Sequence, residues 1–214
     1  MGNAVFALSV NGLGFTSFVA GFVSPYWLQS YSRIHTPFSR LGLWEFCMNG
    51  FILRTDANMK SYFGCWWIYS PEYDGIRDFL APWWFIIIQV FMSVSLLLYC
   101  LSIVSLLFYV FCELSNSKIR CVISMLVLVL NLVIACLVTV SVIIFGINQL
   151  NEDWMPYPFL NWPSSGYGFA ILSGCLSFIT VGYIGVQVSV DKRVHEEDAF
   201  NFPLVTIPSA NSHG

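Results

Sequence analysis

The sequence predicts an α-helical integral membrane protein: a left-handed four-transmembrane-helix bundle with a small extracellular antiparallel β-sheet from the first outer connection. Three observations predict it. The 214 residues are 57% hydrophobic and only 10% charged, against about 25% charge in soluble domains. The charge is missing in blocks, with no Asp, Glu, Lys, Arg or His in residues 1–32, 79–112, 121–151 or 154–190. Each block exceeds the roughly 20 residues that cross a hydrocarbon core. The long stretch between the first two blocks is polar, alternating in pattern and holds two of the seven cysteines.

Four spans are expected at about 4–27, 82–112, 121–150 and 167–190, in one domain over 1–190. The first block lacks the basic n-region and small-residue cleavage site of a signal peptide. Its polar residues Asn11, Thr16, Ser17 and Ser24 suit a retained helix inside a bundle. Small residues recur every four positions, as Gly12, Thr16, Ala20 and Ser24 in span one and as Ala170, Gly174, Ser173 and Ser177 in span four. Such rows let helix backbones approach closely in lipid. The second and third spans are greasier, and the second is long enough to tilt or to project beyond the bilayer.

Lys and Arg in short connections set orientation. Lys118 and Arg120 lie in the second connection and Lys192 and Arg193 in the tail, whereas the third connection carries Glu152 and Asp153. Both termini are therefore expected in the cytoplasm, with the first and third connections outside. The tail, 191–214, combines Glu196, Glu197 and Asp198 with Pro203 and Pro208 and reads as disordered.

The first connection, 28–81, has period-two patches over 27–34 and 41–48 and an aromatic run over 65–70, which read as three to five strands. So small a sheet needs a staple. Only Cys47 and Cys65 lie in an outer connection, where disulfides persist. The simplest reading pairs them with each other, closing a loop worth about 3 kcal/mol; two free thiols or an intermolecular bond are the alternatives. No C-x-x-C is present, which argues against a four-span thiol oxidoreductase. The second outer connection has no cysteine, unlike that of gap-junction proteins, and the large outer domain follows span one rather than span three, unlike that of tetraspanins. Cys112 and Cys121 flank the inner connection and are palmitoylation candidates, or ordinary apolar residues at helix ends.

Trp27, then Gly42-Leu43-Trp44-Glu45-Phe46-Cys47, then Cys65 form the pattern W…G-L-W-x-x-C…C after the first of four spans. In order, topology and the short second outer connection, this resembles the claudin superfamily, which includes peripheral myelin and epithelial membrane proteins and channel-modulating relatives. The resemblance covers all four spans and stops before the tail. It implies that Trp44 tucks the sheet against the bundle, that Cys47 and Cys65 bridge adjacent strands, and that Trp27, Gly42, Leu43 and Trp44 are structural. Arg77 stands just before span two, where claudins often carry an arginine. The chain departs from typical vertebrate claudins in its wider cysteine spacing, in Pro82-Trp83-Trp84, and in a terminal Gly214 that PDZ domains do not capture. The wider cysteine spacing suggests a divergent claudin-like protein of septate or tight junctions, the family serving septate junctions in invertebrates.

No catalytic set is visible. His35, His195 and His213 are isolated, and no nucleophile has a base and an orienting partner nearby. No cofactor, metal or nucleic-acid partner is implied, and the net charge is only −3. No ionisable group lies inside a span, which disfavours a pump or charge-coupled transporter; Asn11, Gln89, Asn131 and Gln187 read as bundle hydrogen-bonders. The outer connections are rich in aromatics, and Trp66, Trp67, Trp154, Tyr157, Phe159 and Trp162 are the candidates for contacts with other copies. The expected partners are membrane lipid, the same or related claudin-like chains in cis and trans, and other junction proteins, at lateral contacts of the plasma membrane. Five basic and five acidic residues in the first connection sum to zero and favour a paracellular barrier over a selective pore. An auxiliary subunit of a channel or receptor, or a myelin-like structural role, is the alternative. The absence of an N-x-S/T site tips the balance toward the junctional reading.

Overall fold

The computed structural model describes residues 2–31, 36–53, 59–111, 116–152, 154–155 and 157–201. Among the described residues, four helices are long and apolar enough to cross a membrane. They are α1 (Gly2–Val23), α3 (Trp83–Phe111), α4 (Ser117–Asn148) and α5 (Ser165–Asn201). The helix α2 (Arg77–Leu80) is a single turn leading into α3. In the bundle α1 packs on α5, α5 on α4, α4 on α3 and α3 back on α1.

The first span stops at Val23, four residues before its expected end at 27. Ser24-Pro25 explains the stop, because the residue before a proline is pushed out of the α region. Trp27 thereby leaves the helix and starts the sheet domain. At the other end, α5 runs on to Asn201, through the first half of the tail expected to be disordered. Residues 191–201 contain neither Gly nor Pro, and Lys192/Glu196 and Arg193/Glu197 set opposite charges one turn apart, a spacing that supports a helix. Residues 202–214 lie outside the described residues.

The small-residue row expected to make close approach in α1 does so only in part. Thr16 faces outward, and a Cβ on Gly12 would meet nothing within 4 Å. The close approach to α5 is made instead by Ser17 and Gly21. Ser17 Oγ donates to Phe169 O at 3.1 Å, and a Cβ on Gly21 would stand 2.9 Å from Gly166 O. On α5 the expected row holds, with Ala170, Ser173, Gly174 and Ser177 all buried.

Several polar groups inside the bundle pair across helices. Asn11 and Asn131 both donate to Ser102 Oγ, at 2.9 and 2.7 Å, and Tyr99 Oη donates to Ser173 O at 3.1 Å. At the end remote from the sheet, Asp191 is buried. It accepts from Tyr109 Oη at 2.9 Å and Gln187 Nε2 at 3.1 Å, and lies 3.6 Å from the Arg120 guanidinium. One carboxylate thus ties α3, α4 and α5 together. Arg120, expected in a connection, stands in the first turn of α4, and Asp191 serves the bundle rather than a tail.

The sheet has five antiparallel strands in the order β4-β3-β2-β1-β5. These are β1 (Leu28–Ser30), β2 (Phe38–Leu41), β3 (Glu45–Ile52), β4 (Ser61–Trp67) and β5 (Asn161–Pro163). Four come from the first connection, as expected. The fifth comes from the connection before α5 and pairs with β1, Gln29 opposite Trp162. Three residues with a Pro inside are too short to show an alternating pattern, so the sequence gives no strand signal there. The register of β3 and β4 slips between Asn49 and Phe51. Gly50, at φ +80°, takes the left-handed conformation such a bulge needs.

Candidate functional site: the sheet-bearing face

The motif residues form the joint between sheet and bundle. Trp27 is fully buried, donates from Nε1 to Gly21 O at 2.7 Å, and packs edge-on against Phe145 at 5.0 Å. Gly42 turns the chain between β2 and β3, with its N–H donating to Glu45 O at 2.8 Å. A Cβ there would stand 2.5 Å from Ser24 O and 2.7 Å from Pro25 Cα, both backbone atoms, so only glycine fits. Leu43 is buried, and its carbonyl accepts from Gln89 Nε2 at 2.6 Å. Trp44 meets Phe22 of α1 edge-on at 5.2 Å.

Gln89 therefore does not serve the bundle alone, as expected of it, but links α3 to the sheet domain. Its amide also accepts from Tyr69 Oη. A lone Gln in an apolar block signals some partner, but nothing in the sequence says that the partner lies in the preceding loop.

Cys47 and Cys65 face each other across β3 and β4 and form a disulfide. Arg40 lies over it, with Nε 3.2 Å from Cys47 Sγ, Nη1 donating to Tyr26 Oη at 2.8 Å, and Nη2 3.2 Å from Glu45 Oε1. Glu45 clusters with the two sulfurs, but both are consumed in the disulfide and offer no thiolate to a metal. Arg77 pairs with Asp74 at 2.9 Å, joining the single turn α2 to the 3-10 turn Pro71–Ile76 before it. Tyr73 in that turn donates from Oη to Phe46 O at 2.9 Å. Burial, reinforced by Glu72 and Glu45, raises its phenol to about 12. Burial also raises the Tyr69 phenol, opposed by its bond to Gln89.

The six aromatic contact candidates separate into two groups. Trp154 is only 5% exposed. It packs against Trp84 at 4.6 Å, Phe85 at 5.9 Å and Phe145 at 6.4 Å. It is a core residue, and the expectation that it meets another molecule is corrected. The turn that carries it folds back over α3 and α4, a placement that no local pattern encodes. Trp66, Trp67, Tyr157, Phe159 and Trp162 are exposed, Phe159 at 80%. Tyr157 holds a left-handed backbone, φ 53°, uncommon for a non-glycine residue.

Other aromatics of the first connection divide in the same way: Phe51 and Tyr62 are buried, while Phe63 is 62% exposed on β4. That strand is the sheet edge and only Tyr62 of it is buried. Of the palmitoylation candidates, Cys121 is half-buried in the first turns of α4, and Cys112 lies outside the described residues. Arg33, Arg54, Asp56, Asp153, His35 and His213 also lie outside them.

Four apolar helices with a disulfide-bridged sheet built on one end define a class of four-span membrane protein. The family described as PMP-22/EMP/MP20/Claudin tight junction matches over residues 12–186, and the chain belongs to it. No curated protein matches the chain.

Proposed function

We propose that this protein is a claudin-like junction component that assembles within the membrane and across opposing cells to form or organise a paracellular barrier. The family supports a junctional or structural membrane role. One observation carries the finer reading. Both outer connections are locked into a single sheet, yet that sheet leaves Phe63, Trp66 and Trp67 at one edge and Tyr157, Phe159 and Trp162 at the other exposed. Large aromatics held rigidly in solvent favour contact with another protein surface. In this reading the sheet faces outward, both termini are cytoplasmic, and the molecule sits at lateral cell contacts. Copies meet side to side through β4 and the outer helix ends, and cell to cell through the tips around Phe159. The sum of charge in the first connection favours a barrier over a selective pore, and Cys121 is the acylation candidate among the described residues.

The test is depletion in a polarised epithelium, with passage of a fluorescent dextran between cells as the readout. Leakage, with the tagged protein at lateral contacts, supports the reading. An intact barrier with the protein away from contacts contradicts it, and co-purification with a channel subunit would then favour the auxiliary role.

A further inference from the structure

Where α1 leaves the bundle, a cleft of about 170 Å³ is lined by Val23, Ser24, Pro25, Trp44, Glu45 and Trp67. Its place in the fold sets its depth in the membrane. Val23 is the last residue of a span and is itself well exposed, so the cleft opens at headgroup level beside the apolar flank of α1. At roughly 30 Å³ per water molecule it has the volume of five or six waters, far below the 300–1,000 Å³ or so of a drug-sized pocket. It fits a headgroup fragment, not an acyl chain.

The lining chemistry selects a cation. Trp44 and Trp67 contribute two indoles, and Trp67 is steadied edge-on by Tyr69 at 5.5 Å. Glu45 contributes a carboxylate. Its Oε1 is taken by Arg40 at 3.2 Å, and among the described residues nothing bonds its Oε2. The same Arg40 guanidinium also lies over the Tyr26 ring, 4.9 Å from its centroid, so Glu45 keeps one oxygen on Arg40 and the other toward the cleft. Indoles together with a carboxylate recognise a quaternary ammonium, whose spread charge suits aromatic faces. The geometry points to a binding site for the choline headgroup of a membrane lipid, with the trimethylammonium against Trp44, Trp67 and Glu45 and the glycerol end running down along Val23. Trp67 is shared with the edge proposed for side-to-side contact, but a single copy in detergent suffices to test the lipid site by itself.

The experiment is native mass spectrometry of the full chain in detergent, titrated with dimyristoyl phosphatidylcholine or dimyristoyl phosphatidylglycerol. One phosphatidylcholine is expected to bind about five- to tenfold more tightly than phosphatidylglycerol. Soluble glycerophosphocholine should displace it, because recognition lies in the headgroup. Glu45→Gln should bring the two affinities to within about twofold, and Trp67→Ala should weaken phosphatidylcholine about fivefold. Both variants are first shown to retain the Cys47–Cys65 disulfide by their mobility on non-reducing gels. Equal affinity for the two lipids, failure of glycerophosphocholine to compete, or a choline preference that survives both substitutions would overturn the inference.

Discussion

Trp154 and Phe159 lie five residues apart on the same connection, and they do opposite things. The first is buried against Trp84, Phe85 and Phe145, and the second stands 80% exposed at a tip. The same division runs through the whole sheet-bearing end. Trp27 and Trp154 close the joint between sheet and bundle and Tyr73 packs under the sheet, while Phe63, Trp66, Trp67, Phe159 and Trp162 cover its outside. An abundance of aromatics thus answers two needs at once. The sheet end buries rings beside Leu28, Leu41, Leu43, Ile68 and Leu80, and in the proposed reading the rings left outside are presented to other proteins. Which ring does which is decided by tertiary placement, not by residue type.

Substitutions should separate the two groups. Trp154→Ala removes a ring from a packed aromatic cluster and is expected to cost about 3–5 kcal/mol, read as a large drop in thermal midpoint in detergent. Cys47→Ser should cost about 3 kcal/mol by releasing the loop between β3 and β4; disulfide loss and protease sensitivity of that loop check it. Asp191→Asn tests the other end of the bundle. It loosens a buried tie among α3, α4 and α5 for about 1–3 kcal/mol and leaves the sheet end unchanged, measured by thermal unfolding alongside hydrogen exchange of Tyr73 and its neighbours.

Alkaline pH gives a gentler probe of the buried group. The Tyr73 phenol is raised to about 12 from an ordinary 10.0. Its contribution to stability is therefore complete below pH 10 and is lost as pH rises through 12. Tyr73→Phe should flatten that part of the stability profile. Phe159→Ser is the smallest effect, within about 0.5 kcal/mol of the unaltered protein. If it instead destabilises as Trp154→Ala does, the division between joint and surface fails.

Much of this fold is legible in residue order. Four uncharged blocks fix the helices, because lipid tolerates no buried charge without a partner. Gly42-Leu43-Trp44 and the two outer cysteines fix the sheet's attachment and staple. What the order hides is contact between segments far apart in the chain. The strand at Asn161–Pro163 exists only because β1 offers an edge to it. Gln89 looks like a bundle residue because its partners, Leu43 and Tyr69, lie in the folded loop. Asp191 reads as the first residue of a polar tail until Arg120 and Tyr109 are brought to it. Of the evenly spaced Gly12, Thr16, Ala20 and Ser24, Thr16 faces outward and a Cβ on Gly12 would meet nothing within 4 Å, while Ser24 stands against Gly166 and the close approach within α1 falls to Ser17 and Gly21. Helical spacing gives the period and not the phase.

The central claim is that the exposed aromatic tips, and not merely a folded sheet, make the barrier. The most direct test is rescue of a depleted epithelium with the unaltered chain or with Tyr157→Ser/Phe159→Ser, with dextran flux as the readout and surface level and the Cys47–Cys65 disulfide checked for both. The expected result is that the double variant reaches the surface with its disulfide formed and still leaves the cell layer leaky. A double variant that restores the barrier as fully as the unaltered chain would contradict the account.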